Sequence, residues 1–293
     1  MPVLALDTSV AVAVAVVADT VPDDAPLRAG SGVLAARRVQ EPRRHAELLA
    51  PLIVEVLRES GVDRRDLTAV VVGTGPAPFT GLRAGLVTAR TFALALGIPV
   101  HGVSSLDALA AEAASELGLP TGSTVLVATD ARRHEVYWAR YRVTGTAHRG
   151  RTDSAHDRAG AGAGAGAGGL AAWQDGPPVV LVEGPGVARP ADLATDLADL
   201  RPDDAVVGRG AALYAELVPH GDGRRGDDGG VTGGDGTDGA RVDRAGIQDP
   251  DPSVLARLAL ARLASGESLL PTVPLYLRRP DAVPSMSHKR AIG

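Results

Sequence analysis

The apolar positions of residues 1–118 alternate between two spacings along the chain. Short continuous apolar runs predict strands at residues 3–6, 10–17, 33–39, 68–72 and 100–103. Apolar residues three and four positions apart predict helices at about residues 44–60, 79–96 and 104–117. Strands that come first and then alternate with helices predict an α/β fold, in which a mixed sheet carries helices on its faces.

The opening pattern returns halfway along the chain. Residues 125–130 form an apolar run that ends in aspartate, and residues 135–143 follow as a second strand, as two strands flank Asp7 near the start. We interpret this as two duplicated half-domains, with a chance likeness between two hairpins as the alternative. The predicted division places residues 1–118 in a first lobe and residues 119–293 in a second, less regular lobe. Further strands are predicted at residues 179–182 and 205–208, and helices at 190–200, 211–217 and 253–264.

Two stretches of the second half contain almost no apolar surface. Residues 159–169 alternate Gly and Ala, and residues 221–239 consist almost entirely of Gly, Asp, Arg and Thr. Ordering a residue costs about 1–2 kcal/mol of backbone entropy, which such segments cannot offset by burial. We therefore predict mobile insertions at about residues 145–176 and 219–248.

The two long helices of the first lobe are apolar around an unusually large part of their circumference. The helix at 44–60 has a paired apolar stripe, and the helix at 79–96 is apolar over more than half of its surface. Leaving a large aliphatic side chain exposed forfeits about 1.5–3 kcal/mol. We therefore expect a partner protein to cover the surplus. The alternative is that both helices are central in their own domain.

Composition excludes several classes of function. The absence of Cys excludes disulfides, thiol nucleophiles and Cys-ligated metals, and a formal net charge of −5 argues against a protein that coats nucleic acid. The apolar run at residues 10–18 is too short to span a bilayer and lacks a basic flank, so we expect no membrane contact. The seven histidines include no pair at helical ligand spacing, and we predict no metal site.

The segment GTGPAPFTGLR at residues 73–83 leads from a predicted strand into a helix, a geometry that can hold anions. It lacks the Lys-Ser/Thr of a Walker loop, and Pro78 stands where a dinucleotide fingerprint has its third Gly. A rigid turn that packs strand against helix is the alternative. Asp7 and Asp130 end strands at equivalent positions, where a carboxylate could hold hydrated Mg²⁺ near a nucleotide or cap a turn.

Several of these motifs together resemble the bacterial TsaB family. The main matches are HAE at residues 45–47, GPAPFTGLR at 75–83 and GVSSL at 102–106. Supporting matches are DAR at 130–132, EVY at 135–137, GRGA at 208–211 and PLYLRRP at 274–280. The likeness covers about two thirds of the chain and skips both predicted insertions.

The resemblance implies an actin-like (ASKHA) fold of two related lobes and a role in threonylcarbamoylation of the adenosine next to the anticodon of tRNAs. In that family the transfer is performed by the paralogue TsaD, which carries a metal-binding His pair, and TsaB acts as its non-catalytic partner. The resemblance also implies a TsaE-like ATPase as a partner, tRNA contact only through the complex, and a cytoplasmic location. ATP or ADP and Mg²⁺ are expected at the level of the complex, with no cofactor bound directly by this chain. A homodimer is a further expectation.

The resemblance assigns two sets of residues and no catalytic residue. The family's dimer surface maps onto a partner interface of His45, Leu48, Leu49, Leu52, Ile53, Phe79, Leu82, Arg83 and Leu86. A degenerate nucleotide site would comprise Asp7, Thr8, Ser9, Gly73, Gly75, Thr80, Asp130, Gly208 and Gly210. Ala77 and Pro78 replace the family's usual Gly and Ser, and Val10 stands where active actin-like kinases have a glycine, so we do not expect ATP hydrolysis by this chain.

Two other functions are alternatives. An active nucleotide-dependent, sugar-kinase-like phosphotransferase would use Asp7 and Asp130. A peptidase, a label once attached to relatives, is supported by no metal pair and no nucleophile constellation in the sequence.

Overall fold

Two five-stranded sheets with helices on their faces make up the molecule. The computed structural model describes residues 1–18, 32–41, 44–145, 177–197, 199–217, 241–242 and 246–278. Apart from residues 145, 241–242 and 246–248, the two predicted insertions lie outside the described residues. Their mobility therefore stays a prediction.

The first sheet has the mixed strand pairing that the sequence predicts. Its strands are β1 (Pro2–Asp7), β2 (Val12–Ala18), β3 (Val33–Val39), β4 (Ala69–Gly73) and β5 (Val100–Val103), in the order β3-β2-β1-β4-β5. Strands β1, β2 and β3 pair antiparallel, whereas β1, β4 and β5 pair parallel. Because parallel neighbours require crossover connections, helices join β3 to β4 and β4 to β5.

Three helices follow the predicted positions, and the predicted end signals act as expected. They are α1 (His45–Ser60), α2 (Phe79–Leu96) and α3 (Ser105–Glu116). Gly61 and Gly97 end α1 and α2 with φ of 68° and 67°, in the left-handed region that glycine adopts without steric penalty. Ser104 caps α3, because its side chain accepts a hydrogen bond from the Leu106 backbone N–H at 3.2 Å.

The second sheet repeats the topology of the first. Its strands are β6 (Thr124–Arg132), β7 (Glu135–Val143), β8 (Val179–Ala188), β9 (Ala205–Val207) and β10 (Arg241–Val242), in the order β10-β9-β6-β7-β8. Strand β6 takes the place of β1, with antiparallel partners on one side and parallel partners on the other. The predicted duplication is therefore present in the strand order.

Two of the three helices of the second sheet are shorter than the sequence predicts, whereas the third lies where it was predicted. The three helices are α4 (Pro190–Leu197), α5 (Arg209–Leu213) and α6 (Pro252–Ala264). The single helix predicted at 211–217 is wrong in extent, because Tyr214 is extended and separates α5 from a 3-10 helix at Ala215–Leu217. Strand β8 also continues beyond the predicted residue 182. We call β1 through α3 the first repeat and β6 through α6 the second repeat.

The helices and sheets form five layers. Helices α1 and α2 cover the outer face of the first sheet, where Leu4, Leu6 and Val14 form the core with them. Helices α3 and α6 lie between the two sheets. Helices α4 and α5 cover the outer face of the second sheet around Leu126 and Val206.

The last helix of each repeat packs against the sheet of the other repeat. Helix α6 contacts β1, β2, β4 and β5, and α3 contacts β6, β7, β8 and β9. Asp107 of α3 joins the layers, since it accepts a hydrogen bond from the Tyr141 hydroxyl of β7 at 2.7 Å and pairs with Arg262 of α6 at 2.8 Å. Helix α6 therefore lies on the first sheet although it falls within the predicted second lobe. The boundary at residue 118 itself stays a prediction.

Candidate functional site

A cleft of about 350 Å³ lies between the β1–β2 turn of the first repeat and the β6–β7 turn of the second. The first repeat contributes the loop at residues 76–81 and the side chains of Thr8, Ser9, Val10 and His45. The second repeat contributes Thr129, Asp130, Arg132 and Arg209. Clefts with a few convergent polar groups are the usual place for small-molecule binding.

Asp7 ends β1, but hydrogen bonds within the first repeat occupy its carboxylate. Asp7 is only 1% exposed. Oδ1 accepts from the Ser9 N–H at 2.7 Å and from the Ser9 hydroxyl at 2.5 Å, and Oδ2 accepts from the Ser105 hydroxyl at 2.6 Å. Burial raises the pKa of Asp7, and the hydrogen bonds from Ser105 and Ser9 oppose that rise. These contacts favour the turn-capping alternative for Asp7.

Two glycines allow the Asp7 turn to pack closely against its neighbours. A Cβ atom at Gly73 would lie 1.9 Å from Asp7 Oδ2, and one at Gly85 would lie 2.2 Å from Thr8 Oγ1. Gly73 is the last residue of β4 and Gly85 lies in α2. Both positions therefore require glycine because another side chain already fills the space.

The glycine-rich loop after β4 is a rigid turn, as one of the two alternatives predicted. The Thr74 N–H donates to the Val103 carbonyl at 2.8 Å, and the Ser105 N–H donates to the Gly75 carbonyl at 2.9 Å. Gly75 has a φ of 84° and precedes a cis peptide bond. These bonds pack the loop against the end of β5 and the start of α3.

The β6–β7 turn places a cationic side chain in the cleft. Arg132, Arg133 and His134 have φ of 67°, 55° and 57°, a left-handed conformation that costs about 1–2 kcal/mol for a residue with a side chain. Asp130 supports the turn, because Oδ1 accepts from the Arg132 N–H at 2.8 Å and Oδ2 lies 3.5 Å from Arg132 Nη1. Contacts of this kind must hold a strained turn in place.

Close backbone approach positions Arg209 in the same wall of the cleft. Gly208 has a φ of 97°, and a Cβ atom there would lie 2.4 Å from the Ala128 carbonyl oxygen. A Cβ atom at Gly210 would lie 2.9 Å from the same oxygen. Because both neighbours of Arg209 are glycine, the start of α5 lies directly against β6.

The segment after α6 crosses from one repeat to the other. The Leu275 N–H donates to the Thr74 carbonyl at 2.9 Å, next to the glycine-rich loop. Arg83 Nε of α2 donates to the Tyr276 hydroxyl at 2.5 Å. These contacts attach residues 274–276 to the first repeat.

Arg278 attaches the same segment to the second repeat. Nη1 donates to the Ala131 carbonyl at 2.9 Å, and Nη2 lies 3.2 Å from Glu135 Oε2. Residues 274–280 were predicted only as a family likeness, and this contact was not predicted. No local pattern could have revealed it, because Arg278 and Ala131 are 147 positions apart.

The structure separates the predicted nucleotide-site residues into two groups. Those that line the cleft are Thr8, Ser9, Thr80 and Asp130. Those that shape the turns behind the cleft are Asp7, Gly73, Gly75, Gly208 and Gly210. Nucleotide binding itself stays a prediction. Thr129 and Arg209 also line the cleft but were not predicted, although Arg209 lies in the GRGA motif at residues 208–211.

More than half of the predicted partner interface is part of the protein's own core. The residues concerned are at most 5% exposed and are Leu49, Leu52, Ile53, Leu82 and Leu86. They pack against the outer face of the first sheet, so they present no surface to a partner and this part of the prediction is wrong. His45 faces the cleft, where Nε2 lies 3.5 Å from the Val10 carbonyl. The side chain of Phe79 lies outside the described part of the structure.

Other apolar side chains of α1 and α2 are exposed. Val54 of α1 is 65% exposed, and Val87 and Leu94 of α2 are 62% and 82% exposed. The two helices lie side by side. Of the predicted interface, Leu48 is half-buried and Arg83 is exposed. The outer surface of this helix pair is therefore partly apolar, although different residues carry it.

The described residues contain neither a metal-binding cluster nor a membrane-spanning helix. No three His, Asp or Glu side chains in this part of the chain form a group suited to a metal ion. Within the same residues, none of the helices combines the length and the apolar composition needed to cross a membrane. The absence of a metal site stays a prediction for the whole chain.

Comparison with known proteins gives consistent sequence matches. The family model for TsaD, tRNA N6-adenosine threonylcarbamoyltransferase, matches residues 39–177. The chain is 52% identical over 109 residues to uncharacterized protein Rv3421c of Mycobacterium tuberculosis, covering 37% of this chain and 48% of the relative. It is 40% identical over 100 residues to the tRNA threonylcarbamoyladenosine biosynthesis protein TsaB of Escherichia coli, covering 34% of this chain and 42% of the relative. The chain therefore spans less than half the length of these curated relatives.

The fold matches over a much longer stretch. YeaZ from Pseudomonas aeruginosa superimposes with a TM-score of 0.63 and 25% identity, covering 94% of this chain and 99% of that structure. The predicted actin-like α/β fold of two related lobes is confirmed. Sequence likeness to TsaB proteins and a fold shared with YeaZ point in one direction: this chain is similar to the TsaB family in both sequence and fold.

Proposed function

We propose that this chain is a non-catalytic subunit that supports a TsaD-like threonylcarbamoyltransferase in forming N6-threonylcarbamoyladenosine next to the anticodon of tRNAs. Two relatives, from Escherichia coli and Haemophilus influenzae, are named tRNA threonylcarbamoyladenosine biosynthesis proteins and are 40% and 38% identical to it over the matched residues. The match to the TsaD family model supports a TsaD-like paralogue as the partner.

The observation that carries the proposal is the exposed apolar surface on α1 and α2. We define the α1–α2 face by Ala46, Ala50 and Val54 of α1 and by Val87 and Leu94 of α2, all of which are exposed. Residues 46, 50 and 54 are four positions apart and therefore lie along one side of α1. Two alanines in this row allow another helix to approach closely.

Burial of this face would provide a substantial part of a binding energy. Covering a large aliphatic side chain contributes about 1.5–3 kcal/mol, and three such side chains lie on the two helices. Arg90 is exposed between Val87 and Leu94 and would form part of a polar rim. The buried leucines beneath, Leu52 and Leu82 among them, hold the helices in position and do not contact the partner.

A binding experiment with matched variants tests the proposal. Val54→Asp and Val87→Asp place a charge on the α1–α2 face, and each should weaken binding to the TsaD-like protein of the same organism at least tenfold in isothermal titration calorimetry, a difference of about 1.4 kcal/mol. Val182→Asp on β8 is the control, because Val182 is 52% exposed and lies on the opposite repeat. Wild-type affinity in both face variants would contradict the proposed interface.

A reconstituted modification reaction tests the role itself. We propose that the complete reaction also contains a TsaE-like ATPase, ATP and Mg²⁺, and that tRNA is contacted through the complex, in the cytoplasm. The modified nucleoside, measured by mass spectrometry of digested tRNA, should form only when this chain is added. An equal yield from the TsaD-like and TsaE-like proteins alone would overturn the proposed function.

The same face could join two copies of the free chain, which we propose as its state without the partner. Light scattering of the isolated protein should then give the mass of a dimer, and Val54→Asp should give the mass of a monomer. A monomeric wild-type chain would exclude the homodimer without affecting the proposed partner contact.

A further inference from the structure

The chain that follows α6 binds the open edge of the first sheet. Strand β5 is the last strand of that sheet, and it forms an antiparallel bridge with Leu270. The Gly102 N–H donates to the Leu270 carbonyl, and the Leu270 N–H donates back to the Gly102 carbonyl, both at 3.2 Å. A Cβ atom at Gly102 would lie 2.7 Å from the Leu270 carbonyl oxygen, so this close approach requires glycine. We call residues 270–278 the strap.

The middle of the strap binds the first wall of the cleft. The Leu275 N–H donates to the Thr74 carbonyl, two residues before the loop at residues 76–81 that forms this wall. Arg83 Nε donates to the Tyr276 hydroxyl, and the Arg83 guanidinium carbon lies 5.4 Å from the centre of the Tyr276 ring. A guanidinium within about 6 Å of an aromatic ring is attracted to its face. Two kinds of contact therefore hold Tyr276 on α2.

The end of the strap binds the second wall of the cleft. Arg278 donates to the Ala131 carbonyl and pairs with Glu135, as described above. These two residues flank the left-handed turn at residues 132–134. The Arg278 side chain is 21% exposed and that of Glu135 is 30% exposed. Since both groups are partly buried, solvent ions screen the pair only in part.

The contacts with the two walls lie very close together along the strap. Tyr276 binds the first wall and Arg278 the second, and one residue separates them. Two residues of chain span at most about 7 Å. While both ends stay bound, the walls can separate only as far as this short piece of chain and its side chains allow. The contacts are few, polar and near the surface, which is typical of regions that open locally at low free energy.

We propose that the strap is a clasp that fixes the separation of the two cleft walls. Release of Tyr276 or Arg278 frees the β6–β7 turn to move relative to the glycine-rich loop. The layer of α3 and α6 contacts both sheets and keeps the repeats together in the clasped and the released state. Release therefore changes the cleft without unfolding the chain. The inference rests on these contacts and does not depend on the proposed tRNA role.

Hydrogen exchange of the full chain, followed by mass spectrometry, tests whether the two ends of the strap are coupled. Arg278→Gln removes a charge-assisted hydrogen bond and should speed exchange in residues 131–136 about tenfold. Tyr276→Phe removes the hydroxyl that Arg83 binds on the first wall, yet it should speed exchange in the same residues about threefold. Arg64→Gln removes an exposed arginine of the 3-10 helix Arg64–Asp66 and is the charge-matched control, which should exchange like wild type.

Spin labels measure the separation of the walls directly. The chain contains no Cys, so Thr80→Cys and Leu213→Cys together provide one labelled pair. Thr80 lies on the first wall, and Leu213 is exposed on α5, which begins at the second wall with Arg209. Double electron–electron resonance should give a narrow distance distribution with the strap intact and a broader one in Arg278→Gln. Arg278→Lys keeps the charge without the planar fork and should give an intermediate width.

Three outcomes would overturn the proposal. One is wild-type exchange in residues 131–136 of Arg278→Gln. Another is faster exchange in Tyr276→Phe that is confined to the strap, because the two ends would then act independently. The third is a wild-type distance distribution in Arg278→Gln. If Arg278→Gln does not fold, Glu135→Gln removes the same ion pair from the side of the turn and should change exchange and distance in the same direction.

Discussion

Asp7 and Asp130 end the equivalent strands β1 and β6, but their surroundings differ. Asp7 is 1% exposed, and hydroxyls from its own turn and from α3 bind both carboxylate oxygens. The Asp130 side chain is 22% exposed and holds a strained arginine turn at the edge of the cleft. The two repeats therefore share one strand order, but the turns after their equivalent strands have different roles. The first turn is fixed in the core, and the second faces a ligand-sized space.

The helices that cover the two sheets differ in the same way. Helices α1 and α2 have 16 and 18 residues, whereas α4 and α5 have 8 and 5. The long pair buries a full core face and still has an outer surface with exposed Val54 and Leu94. The short pair covers its sheet, and Arg209 at the start of α5 also lines the cleft. The first repeat therefore offers a surface for a partner, and the second provides most of the basic wall of the cleft.

The largest expected effect comes from filling the space that Gly73 leaves for the side chain of Asp7. Gly73→Ala would place a Cβ atom 1.9 Å from Asp7 Oδ2. Because Asp7 is held by three hydrogen bonds in the core, we expect a loss of about 3 kcal/mol in the free energy of unfolding, measured by urea denaturation. Gly145→Ala is the control and should change stability by less than about 0.5 kcal/mol, since a Cβ atom there meets nothing within 4 Å. A small effect at Gly73 would show that the turn yields easily.

The two aspartates should respond unequally to the same substitution. Asp7→Asn introduces an amide N–H₂ among buried donors and should lower the free energy of unfolding by about 2 kcal/mol. Asp130→Asn removes a partly exposed ion pair and should cost less than about 1 kcal/mol. Urea denaturation of both variants measures the difference. Equal losses would mean that the burial of Asp7 has no energetic consequence.

A pH-dependent effect is expected where α3 meets α6. Burial raises the pKa of Glu112 from 4.5 to about 8, and Asp251 adds to the rise, while Arg38 and Arg257 oppose it. Between these pH values the folded chain keeps a proton that the unfolded chain has lost. The contribution of Glu112 to stability should therefore be fully present below pH 4.5 and should fall by at most about 1.4 kcal/mol per pH unit as the pH rises toward 8. Above that pH the stability should level off.

Glu112→Gln separates this contribution from other titrating groups. The variant should show a flatter dependence of unfolding free energy on pH between 4.5 and 8, because the amide does not titrate. Glu55→Gln on the exposed side of α1 is the matched control and should keep the wild-type slope. An unchanged slope in Glu112→Gln would mean that Glu112 is ionised in the folded protein.

Local patterns were sufficient to predict most elements of the first repeat. The buried strands contain continuous Val, Leu and Ala, and Gly61, Gly97 and Ser104 mark helix ends where the backbone requires them. The second repeat was less predictable, because the residues around Tyr214 continue an apolar helical pattern while the backbone there is extended. Hydrophobic spacing does not report such a break.

Spacing also failed to show which apolar side chains of α1 and α2 are exposed. The periodicity identifies a wide apolar surface, but the width that the first sheet covers depends on how five strands and two helices pack together. Leu52 and Leu82 are covered, and Val54 and Val87 are not. The cleft was predictable only in part, since the pairing of β6 with β9 brings Thr129 and Arg209 to the same cleft.

The exchange of α3 and α6 between the sheets has a consequence for how the protein is made. The first sheet is complete once Val103 has left the ribosome, but the helix that covers its inner face begins only at Pro252. Until then, a growing chain carries Val3, Ala5 and Val71 on an uncovered surface. We therefore expect the nascent first repeat to be prone to aggregation until α6 has been synthesised and covers it.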